Sequence, residues 1–149
     1  MFRDANSNSS AAPTFVPDSS NISQSGAADP PAVLLVEDDE PLRVVLHDGL
    51  KDGGFDVLVV ASAKEALALL RSAVVKYSAL ITDIKLADGQ KGWGVARQAR
   101  EIDSSLVVVY ASSAPAADWR AQGVPNSIFL GKPFAPAQLV TALSQLLER

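Results

Sequence analysis

Cysteine is absent from the 149-residue chain, and histidine occurs once. The first absence removes disulfides, thiolate metal sites and cysteine nucleophiles, and it fits a reducing compartment. The second excludes a multi-histidine metal centre within one chain. Excess positive charge is missing too. The formal net charge is −4, which offers no basic surface to nucleic acid or anionic lipid. No apolar run approaches the length of a membrane span. No apolar segment follows Arg3 of the kind a secretory signal requires. These absences lead to the expectation of a cytoplasmic protein that binds neither nucleic acid nor membrane.

What is present divides into a tail and a core-forming stretch. Residues 1–31 are rich in Ser, Asn, Ala and Pro, with few bulky apolar residues beyond Phe2, Phe15, Val16 and Ile22. Such a segment cannot bury enough apolar surface to offset its ordering entropy, so a disordered tail is expected there and one folded domain over 32–149. Within that domain, short apolar runs alternate with amphipathic stretches. Ala32-Val33-Leu34-Leu35-Val36 is a strand buried on both faces, followed by Glu37-Asp38-Asp39 and a helix with Pro41 in its first turn. Leu42, Val45, Leu46, Gly49 and Leu50 form that helix's inner face, and Gly53-Gly54 ends it.

Phe55 to Val60 reads as a second strand. Ser62 and Glu65 have capping-box spacing ahead of a helix that turns Ala66, Leu67 and Leu70 inward. Residues 78–83 are a third strand, with Ala79-Leu80-Ile81-Thr82 ending in the carboxylate of Asp83. A helix from Trp93 to Ile102 follows, its inner positions Val95, Ala96 and Ala99. Then come a strand ending at Ala111-Ser112-Ser113, a short helix around Ala116 to Gln122, and a fifth strand from Ser127 to Leu130. The last helix has Pro136 in its first turn and Leu139, Ala142, Leu143, Leu146 and Leu147 on one face. Five strands alternating with five helices, joined by right-handed crossovers, give a parallel sheet covered on both faces. The first strand–helix turn is acidic and lacks the glycines of a dinucleotide fingerprint, so the flavodoxin-like order 2-1-3-4-5 is expected. Gly89 and Gly92 do not make a P-loop, because its lysine and hydroxyl are not in order.

In that order, strands one, three, four and five are consecutive neighbours about 4.8 Å apart. Their carboxyl ends carry Glu37 and Asp38, Asp83, Ser112, and Lys132. Three carboxylates in a small space repel unless a cation joins them, and an oxygen-only donor set suits Mg²⁺. With the metal bound, Asp83 can act as a nucleophile on phosphorus. Lys132 then supplies a cation for the phosphoryl oxygens, and Ser112 a hydroxyl donor.

The motifs Leu35-Val36-Glu37-Asp38-Asp39, Ile81-Thr82-Asp83, Val109-Tyr110-Ala111-Ser112-Ser113 and Leu130-Gly131-Lys132-Pro133-Phe134 resemble those of the receiver domain of two-component response regulators. The resemblance runs from about Val33 to Leu147. It implies that Asp83 is the phosphoacceptor, that Glu37 and Asp38 hold Mg²⁺, and that the backbone carbonyl of Lys85 is a further metal ligand. It implies that Ser112 is the switch hydroxyl, Phe129 the switch aromatic and Lys132 the family lysine, with a cis bond between Lys132 and Pro133. The chain departs from the commonest pattern at Glu37, where Asp is usual, at Ser112, where Thr is frequent, and at Phe129, where tyrosine is more usual. The loop after Asp83 carries Ala87 in place of a proline, and Gly92 arrives one residue late.

The function this resemblance implies is a stand-alone receiver phosphorylated by a histidine kinase or histidine phosphotransfer protein. Its output would pass to a downstream protein, with only self-catalysed phosphorylation and dephosphorylation as activity. A weak homodimer stays open. Two other readings compete: a phosphate sink or relay intermediate without a switching output, and a non-phosphorylated pseudo-receiver that only binds. A metal-dependent phosphohydrolase usually carries a second acid two residues after the nucleophile, and here that position is Lys85. His47 reads as an ordinary helix residue, and Trp93 as a packing residue behind the active loop.

Overall fold

The computed structural model describes residues 29–148, so the expected tail lies outside the described residues apart from 29–31. Strands and helices alternate as β1 (Ala32–Val36), α1 (Glu40–Asp52), β2 (Asp56–Val60), α2 (Ala63–Ser72) and β3 (Ala79–Thr82). They continue as α3 (Gly92–Ile102), β4 (Val107–Ser112), α4 (Ala116–Gln122), β5 (Ser127–Gly131) and α5 (Pro136–Leu147). Every strand pairing is parallel, and the order across the sheet is β2-β1-β3-β4-β5. This is the flavodoxin-like order expected from the sequence. No helix among the described residues is long and apolar enough to cross a membrane.

The aliphatic runs become the central strands because their residues are buried on both faces of the sheet. Val33, Leu35, Ile81 and Val109 face one side, packed with Leu46 and Leu50 of α1 and Leu139 and Leu143 of α5. Leu34, Val36 and Leu80 face the other, packed with Ala66, Leu67 and Leu70 of α2 and Val95 and Ala99 of α3. Each fully buried leucine contributes about 1.5–3 kcal/mol by leaving water, so the two layers hold the sheet from both sides. Strand β2 is an edge and reads differently: Asp56 and Leu58 point outward and are exposed.

Local signals work out with two adjustments. Ser62 Oγ accepts from the Glu65 amide, while the Glu65 carboxylate reaches the amide of Ala61, one residue before the cap. Val45, expected inside, is 50% exposed. Helix α5 begins at Pro136, which lies so close to Gly49 that a Cβ there would meet it. Leu46 in the turn before Gly49 stays in the core, whereas its neighbour Val45 faces outward.

Helix α4 buries none of its residues. It is held by half-buried Trp119, whose Nε1 donates to Ser127 Oγ at 2.9 Å and whose ring stacks on Phe129 at 6.1 Å. Arg97 of α3 adds bonds to the carbonyl and side-chain oxygens of Gln122.

Candidate functional site

Strand register sets the site. Val36 of β1 pairs with Thr82 of β3, and Thr82 with Tyr110 of β4. The residues just past this row emerge together at the carboxyl edge. Glu37 and Asp83 stay tied to the sheet, Glu37 N donating to Val60 O at 3.0 Å and Asp83 N to Val36 O at 3.3 Å. Lys132 follows β5, its amide bonded to the carbonyl of Ser112 at 2.9 Å. The Lys132–Pro133 peptide is cis.

The side chains converge. Lys132 Nζ lies 2.8 Å from Glu37 Oε1 and 2.9 Å from Asp83 Oδ2. The other Glu37 oxygen accepts from the Asp39 amide at 3.2 Å, and Asp83 Oδ1 accepts from the Ile84 amide at 2.6 Å. One carboxylate oxygen from each of Glu37, Asp38 and Asp83 lies within 4.8 Å of the other two. Glu37 is only 2% exposed. Burial pushes its carboxyl above the usual value despite the hydrogen bond from Lys132. Burial works against the Lys132 charge as well, yet its bonds to Glu37 and Asp83 outweigh this and hold the amine above the ordinary lysine value. The two shifts differ in balance because the lysine faces two carboxylates, whereas Glu37 faces one lysine and the repelling charge of Asp83. Three acids against one base leave a surplus of negative charge, so this oxygen-only set fits a hard divalent cation.

Ser112 and Lys85 stand at the same opening without touching the acids. Both line a cavity of about 280 Å³ with Asp83, Ser113, Ala114, Pro115 and Asp118. Ser112 is buried, and its Oγ accepts from the Ala114 amide at 3.2 Å. The backbone of Lys85 bridges to Lys91 across the loop. Phe129 lies apart from the acids, half-buried beneath Trp119. His47 is partly exposed and pairs with Asp48 at 3.1 Å. Trp93 packs on the ring of Tyr110 at 4.7 Å.

Sequence reasoning misses three supports. Asp88 accepts the amide of Lys64 in the first turn of α2 at 3.2 Å, tethering the loop after Asp83. Asp118 enters the cavity wall from the short helix. Thr82 is wholly buried beside the site; as the single polar residue in an aliphatic strand, it carries a readable signal. Gly92 stands out in the sequence only by its spacing. A Cβ there would collide with the carbonyl oxygen of Asp83, and the Gly92 amide bonds Ile84 O at 2.7 Å. Because the obstacle is backbone, Gly92→Ala should destabilise the fold by about 1–3 kcal/mol, as overpacking does. A urea midpoint equal to that of the unaltered chain would show that the loop yields freely.

A parallel five-stranded sheet of this order, with acids and a lysine at its carboxyl edge, defines a flavodoxin-like α/β protein whose candidate site sits at the strand ends. The family model for the response regulator receiver domain matches residues 33–144, and the chain belongs to that family. Receiver domains are phosphoacceptors in signalling rather than turnover enzymes. The chain is 33% identical over 122 residues to the transcriptional regulatory protein PrrA of Mycobacterium tuberculosis, a match covering 80% of this chain and 51% of that protein. It thus spans about half the length of that curated relative. A response regulator receiver protein from Sinorhizobium medicae WSM419 superposes with a TM-score of 0.77 at 42% identity, covering 80% of this chain and 96% of that one. The receiver domain of sensor histidine kinase PA1611 from Pseudomonas aeruginosa PAO1 shares the fold, with a TM-score of 0.69 at 22% identity, 80% of this chain and 99% of that one being covered. That structure has a magnesium ion coordinated in its active site cleft.

Proposed function

We propose that Asp83 accepts a phosphoryl group from a phosphohistidine, carried by a histidine kinase or a histidine phosphotransfer protein, and that the phosphorylated domain signals through a protein contact. The observation that carries this reading is the single amine of Lys132 bridging Glu37 and Asp83. The bridge sets a fixed cation beside a carboxylate oxygen at a strand end. In the transfer, an Asp83 oxygen forms the new bond to phosphorus as the donor's N–P bond breaks. The imidazole nitrogen leaves with the electron pair and takes a proton from water. Lys132 meets the charge on the phosphoryl oxygens, and Ser112 lines the cavity that receives them.

Mg²⁺ would be held by Asp38 and Asp83, the Lys85 carbonyl and the charge of Glu37. When bound, it neutralises the approach of one anion to another. Glu37 has both oxygens engaged by Lys132 and the Asp39 amide, so its part is chiefly to keep the lysine in place. Phe129 and Ser112 are the proposed switch pair, with Trp119 and α4 lying over the aromatic. A cytoplasmic location belongs to the same reading.

Incubation with a small acyl phosphate and Mg²⁺, followed by peptide mass mapping, tests the proposal. One phosphoryl group on Asp83, lost on chelating the metal, is expected. A label elsewhere, or labelling indifferent to the metal, would sink it.

A further inference from the structure

Three of the four residues of β3 are aliphatic, and the fourth, Thr82, is fully buried. A buried hydroxyl has to find a partner. Thr82 Oγ1 donates to the carbonyl oxygen of Asp83 at 2.8 Å. That carbonyl belongs to the peptide unit whose N–H, on Ile84, donates to Asp83 Oδ1 at 2.6 Å. One end of a single rigid peptide plane is thus gripped by Thr82, and the other grips the carboxylate of the residue proposed to react. Gly92 closes the remaining side. It lies against the same carbonyl oxygen too closely to admit a Cβ, and it bonds the next carbonyl, that of Ile84, at 2.7 Å.

We propose that Thr82 is a positioning residue for phosphoryl transfer: its hydroxyl fixes the Asp83–Ile84 peptide plane, and through the Ile84 N–H it fixes the Asp83 carboxylate. The inference rests on the phosphoacceptor reading. The torsion that turns a carboxylate about its own axis is broad and weakly restrained by itself. Here Oδ1 is held by the Ile84 amide and Oδ2 by Lys132. The amide is only as well aimed as its peptide plane. Without the hydroxyl the plane loses its side-chain anchor, the Ile84 N–H loosens, and Oδ1 becomes free to rotate away from the line of attack. A bland role is also open to a threonine here, since a β-branched residue fills a buried strand position whatever its hydroxyl does.

The two roles separate experimentally. Thr82→Val keeps the branching and removes the hydroxyl; Thr82→Ser keeps the hydroxyl and removes the methyl. Labelling by a small acyl phosphate should slow roughly tenfold in T82V, a fraction of what an ångström of misplacement costs. Amide exchange at Ile84 should quicken in the same variant, while exchange in the core of β1 stays unchanged. T82S should restore both. Normal labelling of the unaltered chain with an equal rate and equal Ile84 exchange in T82V would overturn the positioning role alone, as would failure of T82S to rescue. Absence of labelling in the unaltered chain would overturn the phosphoacceptor reading instead.

Discussion

Asp83→Asn should carry no phosphoryl group under conditions that label the unaltered chain, while unfolding at nearly the same urea concentration. The amide keeps the shape of the carboxylate and can still accept the Ile84 N–H, but it is a far weaker nucleophile toward phosphorus. Two electrostatic changes oppose one another in the fold. The substitution removes the ion pair between Asp83 and Lys132, and it also relieves the crowding among Glu37, Asp38 and Asp83. For a group at the sheet edge these offset to within about 1 kcal/mol. Metal affinity should drop along with labelling, since one of three clustered acids is gone. Persistent labelling of a folded D83N protein would mean that another residue is the acceptor.

Lys132→Ala is expected to slow labelling roughly 10²–10³-fold, the scale seen when a preorganised charge-stabilising group is removed. It should also destabilise the fold, because Glu37 is almost wholly buried and loses the cation paired with it. Removing one partner of a fully buried pair costs about 3–5 kcal/mol; for this cluster at the edge of the sheet about 2 kcal/mol is expected. The pH dependence gives a second signature. The Glu37 carboxyl is already raised by burial, and without Lys132 it should rise further. A carboxyl raised in the folded state binds its proton more tightly there than in the unfolded chain. Stability therefore increases as the pH falls through the folded value toward 4.5. Urea midpoints of K132A should climb on acidification more steeply than those of the unaltered chain. At alkaline pH the order reverses. The raised amine of Lys132 stabilises the unaltered fold fully below 10.5 and loses that contribution as the pH rises through its folded value. K132A should lack this alkaline loss. Parallel curves for the two proteins would mean that the lysine does not support the buried acid.

Much of this is legible in the residues themselves. Unbroken aliphatic runs cannot be half-solvated, so β1, β3 and β4 read as central strands, and the turn chemistry at Gly53, Ser62 and Pro136 marks helix ends. Strand order alone puts Glu37 and Asp83 at adjacent carboxyl ends, and Lys132 at the same edge two strands further on, from where its long side chain reaches both acids. The illegible part depends on contacts between elements. Val45 sits in phase with the inner face of α1, and nothing in α1 says that it is left exposed beside the buried Leu46. Thr82 looks like a strand filler unless its hydroxyl is seen on the Asp83 carbonyl. Asp88 reaches an amide 24 residues away, a pairing that no local pattern encodes.

Helix α4 is anchored through the Trp119 ring and the Arg97 clamp on Gln122, and this governs how it can move. Seven residues with no buried side chain cannot sustain two turns in isolation, because nucleation is unfavourable and the run is too short to offset it. The helix borrows its order from Trp119 on Phe129 and Ser127 and from the Arg97 clamp. Its local opening free energy therefore lies near the bottom of the range within one domain, while the buried central strand β4 belongs to the most protected end of that range. The molecule thus combines two mechanical regimes side by side. One is a rigid edge where the acids and the lysine are held in register. The other is a loosely seated helix joined to the sheet chiefly where Trp119 meets Phe129 and Ser127.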